Sequence, residues 1–347
     1  LVKTTERIKM AHDLETQNGV ASFASFREPA WHNLGTVFDT EKNTSEMLVA
    51  ANLNNWNVRL EDLEIPTTLV SDKQYQYVVR TNPTDKSQTD VLGIVGQRYV
   101  PLQNEDLFAF GDNILDGGGR WETAGSISGG RVVFGSLALE RETVLDPNGV
   151  ADVVKTYLLI NTSHDGSIAI QASITPVRVV CANTLNVALN RTKKKDGVKQ
   201  SFKIRHTQTA EGKITVARQA LGMANAYMTE FDKMAHAMIA KEISAQDFNN
   251  IILAAYPKPE LDTKGAVKKW ENKVDMINDI YTGEYNGMIS GNAWGAFNAL
   301  TERLDWYRTS RSANGESMFA AASGFDPATN AEKNRLLSIV QNTLQIV

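Results

Sequence analysis

The sequence predicts an α+β protein: a mainly antiparallel, β-rich core with a long helix packed on it and an all-helical C-terminal third. Three observations carry this. Between about 60 and 175, apolar residues recur with period two in short runs separated by turn residues. From 210 to 240 they recur at helical spacing without a break. Beyond PKPELDTKG (257–265) only helical patterns remain. Short strands joined by tight turns pair antiparallel, because a parallel crossover needs roughly a dozen connecting residues or more.

In chain order, residues 1–30 read as irregular, ending at Pro29. AWHNLGT (30–36) reads as a structural plug, with Trp31 buried and Gly35 allowing a turn. NTSEMLVAANLNNWNV (43–58) reads as a helix capped by Thr44 or Ser45. Strands are expected at 75–81, 90–96, 121–127, 131–140, 153–163 and 167–175, rich in Val, Ile and Tyr. Gly129-Gly130 and Asp165-Gly166 mark hairpin tips. NEDLFAFGDNIL (104–115) interrupts as a helix capped by Asn104. VRVVCANTLNVALNRT (177–192) reads as a strand end running into a helix capped at Asn183 or Thr184, followed by a strand at 201–207. Helices follow at 210–240, 244–256, 265–282, 290–309 and 328–346. The organisation expected is an N-terminal arm and helix (1–59), the β-rich core (60–207), a long helical region (208–256) and a helical C-terminal subdomain (257–347).

Bulk properties narrow the function. The chain has 347 residues, 42% hydrophobic and 22% charged, with no apolar run long enough to cross a membrane. No secretory h-region is visible, and a cytoplasmic setting is expected. The first residue is Leu rather than Met, so the natural start is expected upstream. A single cysteine, Cys181, excludes intrachain disulfides and cysteine-rich zinc sites.

The net charge is −4, yet NRTKKKDGVKQSFKIRH (190–206) gathers Arg191, Lys193, Lys194, Lys195, Lys199, Lys203 and Arg205 against Asp196 alone. Seven cations minus one carboxylate is +6, so the rest of the chain sums to −10. Lys199, Lys203 and Arg205 alternate and so share one face of a strand. A phosphate backbone suits such a ridge, because each neutralised phosphate releases counterions. The competing reading is a solvated loop that aids solubility. A second basic element, AWGAFNALTERLDWYRTSR (293–311), sets Arg303, Arg308 and Arg311 beside Trp306 and Tyr307, which suits single strands whose bases stack on rings. Arginines at the negative end of a packed helix are the alternative. Arg178 extends the possible track.

Catalytic constellations are weak. Cys181 with His164 or His206 and Asn183 or Asp165 supplies the residue types of a thiol enzyme, but Cys181 lies in an apolar run where cysteines are usually inert. The histidines lack metal-site spacing, and no phosphate-loop or dinucleotide motif is present, so neither metal nor cofactor is expected.

PAWHNLGT (29–36), SHDGSIAI…TPVRVVCANTLNVAL (163–189), FKIRHT (202–207) and GNAWGAFNALTERLDWYR together resemble the phage/plasmid-like protein family named for its L-G-T motif, a domain of unknown function. The resemblance implies a mobile-element origin and assigns no chemistry. The polar members of the matching positions, Trp31, His32, His164, Asp165, Asn183 and His206, mark a candidate functional surface. More remotely, the order of elements is similar to annealing proteins of the Rad52 and RecT/Redβ kind, an analogy at the level of fold alone. The function expected is therefore binding of single-stranded nucleic acid, DNA in preference to RNA, by an ATP-independent annealing protein that forms homo-oligomers. The alternatives are a protein-binding or structural protein, such as an inhibitor of a host defence factor, and a nuclease or cysteine hydrolase built on His164, Asp165, Cys181 and His206.

Overall fold

A computed structural model describes residues 14–27, 34–63, 75–115, 119–146, 148–168, 170–178, 183–184, 201–203, 210–260, 264–307 and 327–346. Thirteen strands and seven α-helices lie among them, and the fold is α+β. The strands are β1 (Thr16–Gln17), β2 (Val20–Ala21), β3 (Phe23–Phe26), β4 (Thr36–Phe38), β5 (Arg59–Asp62), β6 (Tyr75–Thr81), β7 (Thr89–Gly96), β8 (Gly119–Ile127), β9 (Val132–Leu145), β10 (Asp152–Ser163), β11 (Gln171–Arg178), β12 (Asn183–Thr184) and β13 (Ser201–Lys203). The helices are α1 (Thr44–Ala50), α2 (Asn104–Leu115), α3 (Ala210–Ile239), α4 (Ala245–Ala255), α5 (Lys264–Thr282), α6 (Ala293–Trp306) and α7 (Pro327–Leu344).

The main sheet runs in the order β12-β11-β10-β9-β8-β3-β4, and β13 also pairs with β11. Every pairing in it is antiparallel except β3 with β4. A second sheet, β5-β6-β7, is antiparallel throughout. α2 packs against β8, β9 and β10, α3 packs against β9 and β11, and Val154, Leu158, Ile160 and Ile174 of the sheet are buried. Phe108 of α2 stacks on Trp121 of β8 with centroids 4.7 Å apart. Gly111 makes that approach possible, because a Cβ there would collide with the Trp121 ring. The helical third attaches through α6: Trp294 is fully buried, meets Phe231 of α3 edge-on at 6.1 Å, and donates its Nε1–H to Asp152 at the head of β10 (2.8 Å).

Several expectations needed correction. Residues 14–27, expected to be irregular, contain three strands, and FASF is an inner strand of the main sheet. The helix expected over 43–58 stops at Ala50, because Asn52, Asn55 and Asn57 adopt positive φ and turn the chain. Its cap is Asn43, which accepts from the Glu46 amide while Glu46 reaches back. Asn104 is the first residue of its helix rather than a cap, since its side chain is engaged elsewhere. Asn183 and Thr184, expected to cap a helix, form a two-residue strand opposite Val177 and Arg178, and the helix expected beyond them lies outside the described residues. Gly35 and the Gly129-Gly130 tip do adopt positive φ.

Candidate functional site

Of the basic segment, only 201–203 lies among the described residues. β12 finishes at Thr184 and β13 starts at Ser201, and both pair with β11. Residues 185–200, between them, lie outside the described residues. Arg178 sits opposite Asn183 at one end of that edge, and Lys203 sits opposite Gln171 at the other. The stretch Ile174–Pro176 lies between the two short strands, and Pro176 has no N–H to offer a partner. The fold thus brings Arg178, Asn183 and Lys203 to one edge. α6 packs against β12, so the helix bearing Arg303 borders the same region. Trp31, His32, Cys181, Arg191, Lys193, Lys194, Lys195, Lys199, Arg205, His206, Arg308 and Arg311 lie outside the described residues.

His164 and Asp165 do not form a surface dyad. His164 is fully buried at the end of β10, and its ring stands against Trp56 (centroids 5.6 Å). Its Nε2 is 2.9 Å from Asn104 Oδ1. The Asn104 amide nitrogen donates to Leu53 O, so Oδ1 is the acceptor and Nε2 carries the proton. Burial, then the charge of Arg80, lowers the imidazole pKa to about 4 against a raising effect of Asp165, and the ring is neutral. Asp165 is half-buried. Burial would raise its pKa, but hydrogen bonds from Ser167 and Ser163 and the charge of Arg131 outweigh that and lower it. Tyr99 closes the turn by donating to His164 O (3.1 Å), and burial followed by the Asp165 charge raises its pKa to about 12.

Beside His164 lies a charge network that sequence reasoning missed. Arg80 of β6 is fully buried, pairs with Glu15, and donates to Asp90 at 3.0 Å. Ser126 of β8 donates to Glu15 at 2.6 Å, and Asn82 donates to Asp90 at 3.0 Å. The guanidinium lies over Trp56, 3.9 Å from the ring. The network joins the small sheet to the main one, and its cation is matched by carboxylates on both sides. Burying Arg80 without them would cost several kcal/mol. No sequence signal announces it, because Glu15 and Arg80 are 65 residues apart.

Arg303 lies apart from this network, on the C-terminal half of α6. Its guanidinium carbon is 5.2 Å from the Tyr256 ring centroid. On the same helix Trp294, Phe297, Leu300 and Leu304 are all buried.

Among the described residues there is no group of three metal-ligating side chains and no helix long and apolar enough to cross a membrane. What remains is an α+β protein with Arg178 and Lys203 along one edge of β11 and a compensated polar core. The chain belongs to the family described as Domain of unknown function (DUF932), whose model matches residues 91–323, from β7 through α6 and beyond. No curated protein and no solved structure shows significant similarity to it.

Proposed function

We propose that the chain binds single-stranded nucleic acid, DNA in preference to RNA, along the outer edge of β11. In its sharpest form it is an ATP-independent annealing protein of a phage or plasmid. It would act in the cytoplasm as a homo-oligomer, aligning one edge from each copy into a longer track. The observation that carries the reading is the +6 charge of residues 190–206 in a chain whose remainder sums to −10, together with the pairing that sets Arg178 and Lys203 along β11. Long lysine side chains exchange condensed counterions for phosphates, so binding should be sequence-tolerant and strongly salt-dependent. The negative remainder would confine a polyanion to that edge.

Fluorescence anisotropy with a labelled single-stranded oligonucleotide tests this. Replacing Lys193, Lys194 and Lys195 together by Gln should weaken binding at least tenfold at moderate salt. Equal affinity of the two proteins would remove the triple lysine from the interface and the reading with it.

A further inference from the structure

Four helices of the C-terminal third converge on Tyr256, the residue that ends α4. The Trp270 indole of α5 donates to its carbonyl at 2.8 Å and fixes the backbone. Three cations surround its ring: Lys273 Nζ of α5 at 4.7 Å, Arg303 of α6 at 5.2 Å and Arg335 of α7 at 5.8 Å from the centroid. Arg303 also reaches toward the phenol oxygen, at 3.5 Å.

Charge among the described residues does not balance here. Glu332 is the carboxylate of the group, and Arg335 already holds both its oxygens, at 2.7 and 2.8 Å. Among the described residues, Lys273 and Arg303 have no carboxylate within salt-bridge distance, and Arg303 Nε is buried without a hydrogen-bond partner. Three cations against one carboxylate, among the described residues, leave +2. Burial, then the charges of Arg303 and Arg335, lower the Lys273 pKa against the opposing pull of Glu332. One aromatic ring attracts a cation but does not cancel the repulsion among three. The group is open to solvent: Tyr256, Lys273 and Arg303 are half-buried and Arg335 is exposed.

We propose that Lys273, Arg303, Arg335 and the Tyr256 hydroxyl form a binding site for a phosphomonoester dianion. Two negative charges match the surplus of two positive ones, whereas a carboxylate would leave one uncompensated. Terminal phosphate oxygens accept from several directions at once, as the Lys273 ammonium, the Arg303 guanidinium, the Arg335 Nη1 group left over by Glu332 and a phenol O–H supply. The phosphate could belong to a small phosphorylated ligand or to the 5′ end of a strand. The site does not depend on the sheet-edge reading, because inorganic phosphate alone probes it.

Isothermal titration of the full chain with inorganic phosphate at pH 7.5, at constant ionic strength, should show saturable one-site binding. Lys273→Gln and Arg303→Gln should each weaken it at least tenfold, while Lys233→Gln, on an exposed face of α3, leaves it unchanged. Circular dichroism establishes that the variants are folded, and phosphorus NMR line broadening on the unaltered chain reads the same binding without any variant. Tighter binding of a 5′-phosphorylated oligonucleotide than of its 5′-hydroxyl twin, with the difference abolished by Lys273→Gln, would assign the site to strand ends. Equal binding of the two, with phosphate still saturating, would assign it to a small ligand. Absence of saturable phosphate binding to the unaltered chain, or equal binding by both folded variants, would overturn the proposal.

Discussion

The same two helices carry cations in opposite circumstances. Asp305 of α6 and Lys333 of α7 form an ion pair at 2.6 Å with both side chains fully buried. Two residues away on each helix, Arg303 and Arg335 face Tyr256 and Lys273 with access to water and, among the described residues, a surplus of positive charge. Arg80 in the sheet region belongs with the first kind, sealed and matched by Glu15 and Asp90. A buried charge is tolerated only when its partner is built in. An unmatched surplus at a solvent-open position is tolerated because water and salt screen it, and it leaves the position free for an external anion. The difference separates scaffold from site.

The largest effect is expected where charge is compensated and buried. Arg80→Met or Lys333→Met should each cost about 3–5 kcal/mol, because a buried carboxylate loses its cation. Urea denaturation measures this. Replacing both partners, as in Arg80→Met with Glu15→Leu, should recover much of the loss; a double variant no better than the single would break the assignment of these pairs to the scaffold.

Next in size is the pH dependence contributed by His164. Its folded pKa is lowered to about 4, so between that value and the ordinary one the unfolded chain binds a proton that the folded chain does not. The stabilisation from the neutral ring is complete above about pH 6.5 and is lost as pH falls toward 4. It amounts to roughly 3 kcal/mol over the window. His164→Gln should flatten the stability–pH curve there by one proton. An unchanged slope would mean that His164 is not sealed as described.

The smallest effect is expected at the open cluster. Lys273→Gln in phosphate-free buffer should change stability by no more than about 0.5 kcal/mol, the range of ordinary surface substitutions. A loss of several kcal/mol would place Lys273 with Arg80 and Lys333 and erase the distinction.

The sequence made the regular, locally encoded parts legible. The long helix α3 and strands β6 to β10 follow from apolar periodicity sustained over seven or more residues, and the Gly129-Gly130 tip from the freedom of glycine. What escaped was set by distant partners. FASF is too short to declare itself; it is a strand because β4 and β8 supply its hydrogen bonds. The helix from Thr44 stops early because successive asparagines take up left-handed backbone, although the apolar pattern continues to Leu53 and Trp56. For the site, clustered lysines at 193–195 are visible as a run. The cations around Tyr256 come from positions 273, 303 and 335, and only their helices bring them together.

The most direct measurement is the salt dependence of single-stranded DNA affinity. A plot of the logarithm of the association constant against that of salt concentration should be linear and steep. Each phosphate contact contributes a slope of roughly −0.7 for a single strand, so changing Lys193, Lys194 and Lys195 to Gln should make it shallower by about 2. An unchanged slope, or no salt-sensitive binding by the unaltered chain, would contradict the account.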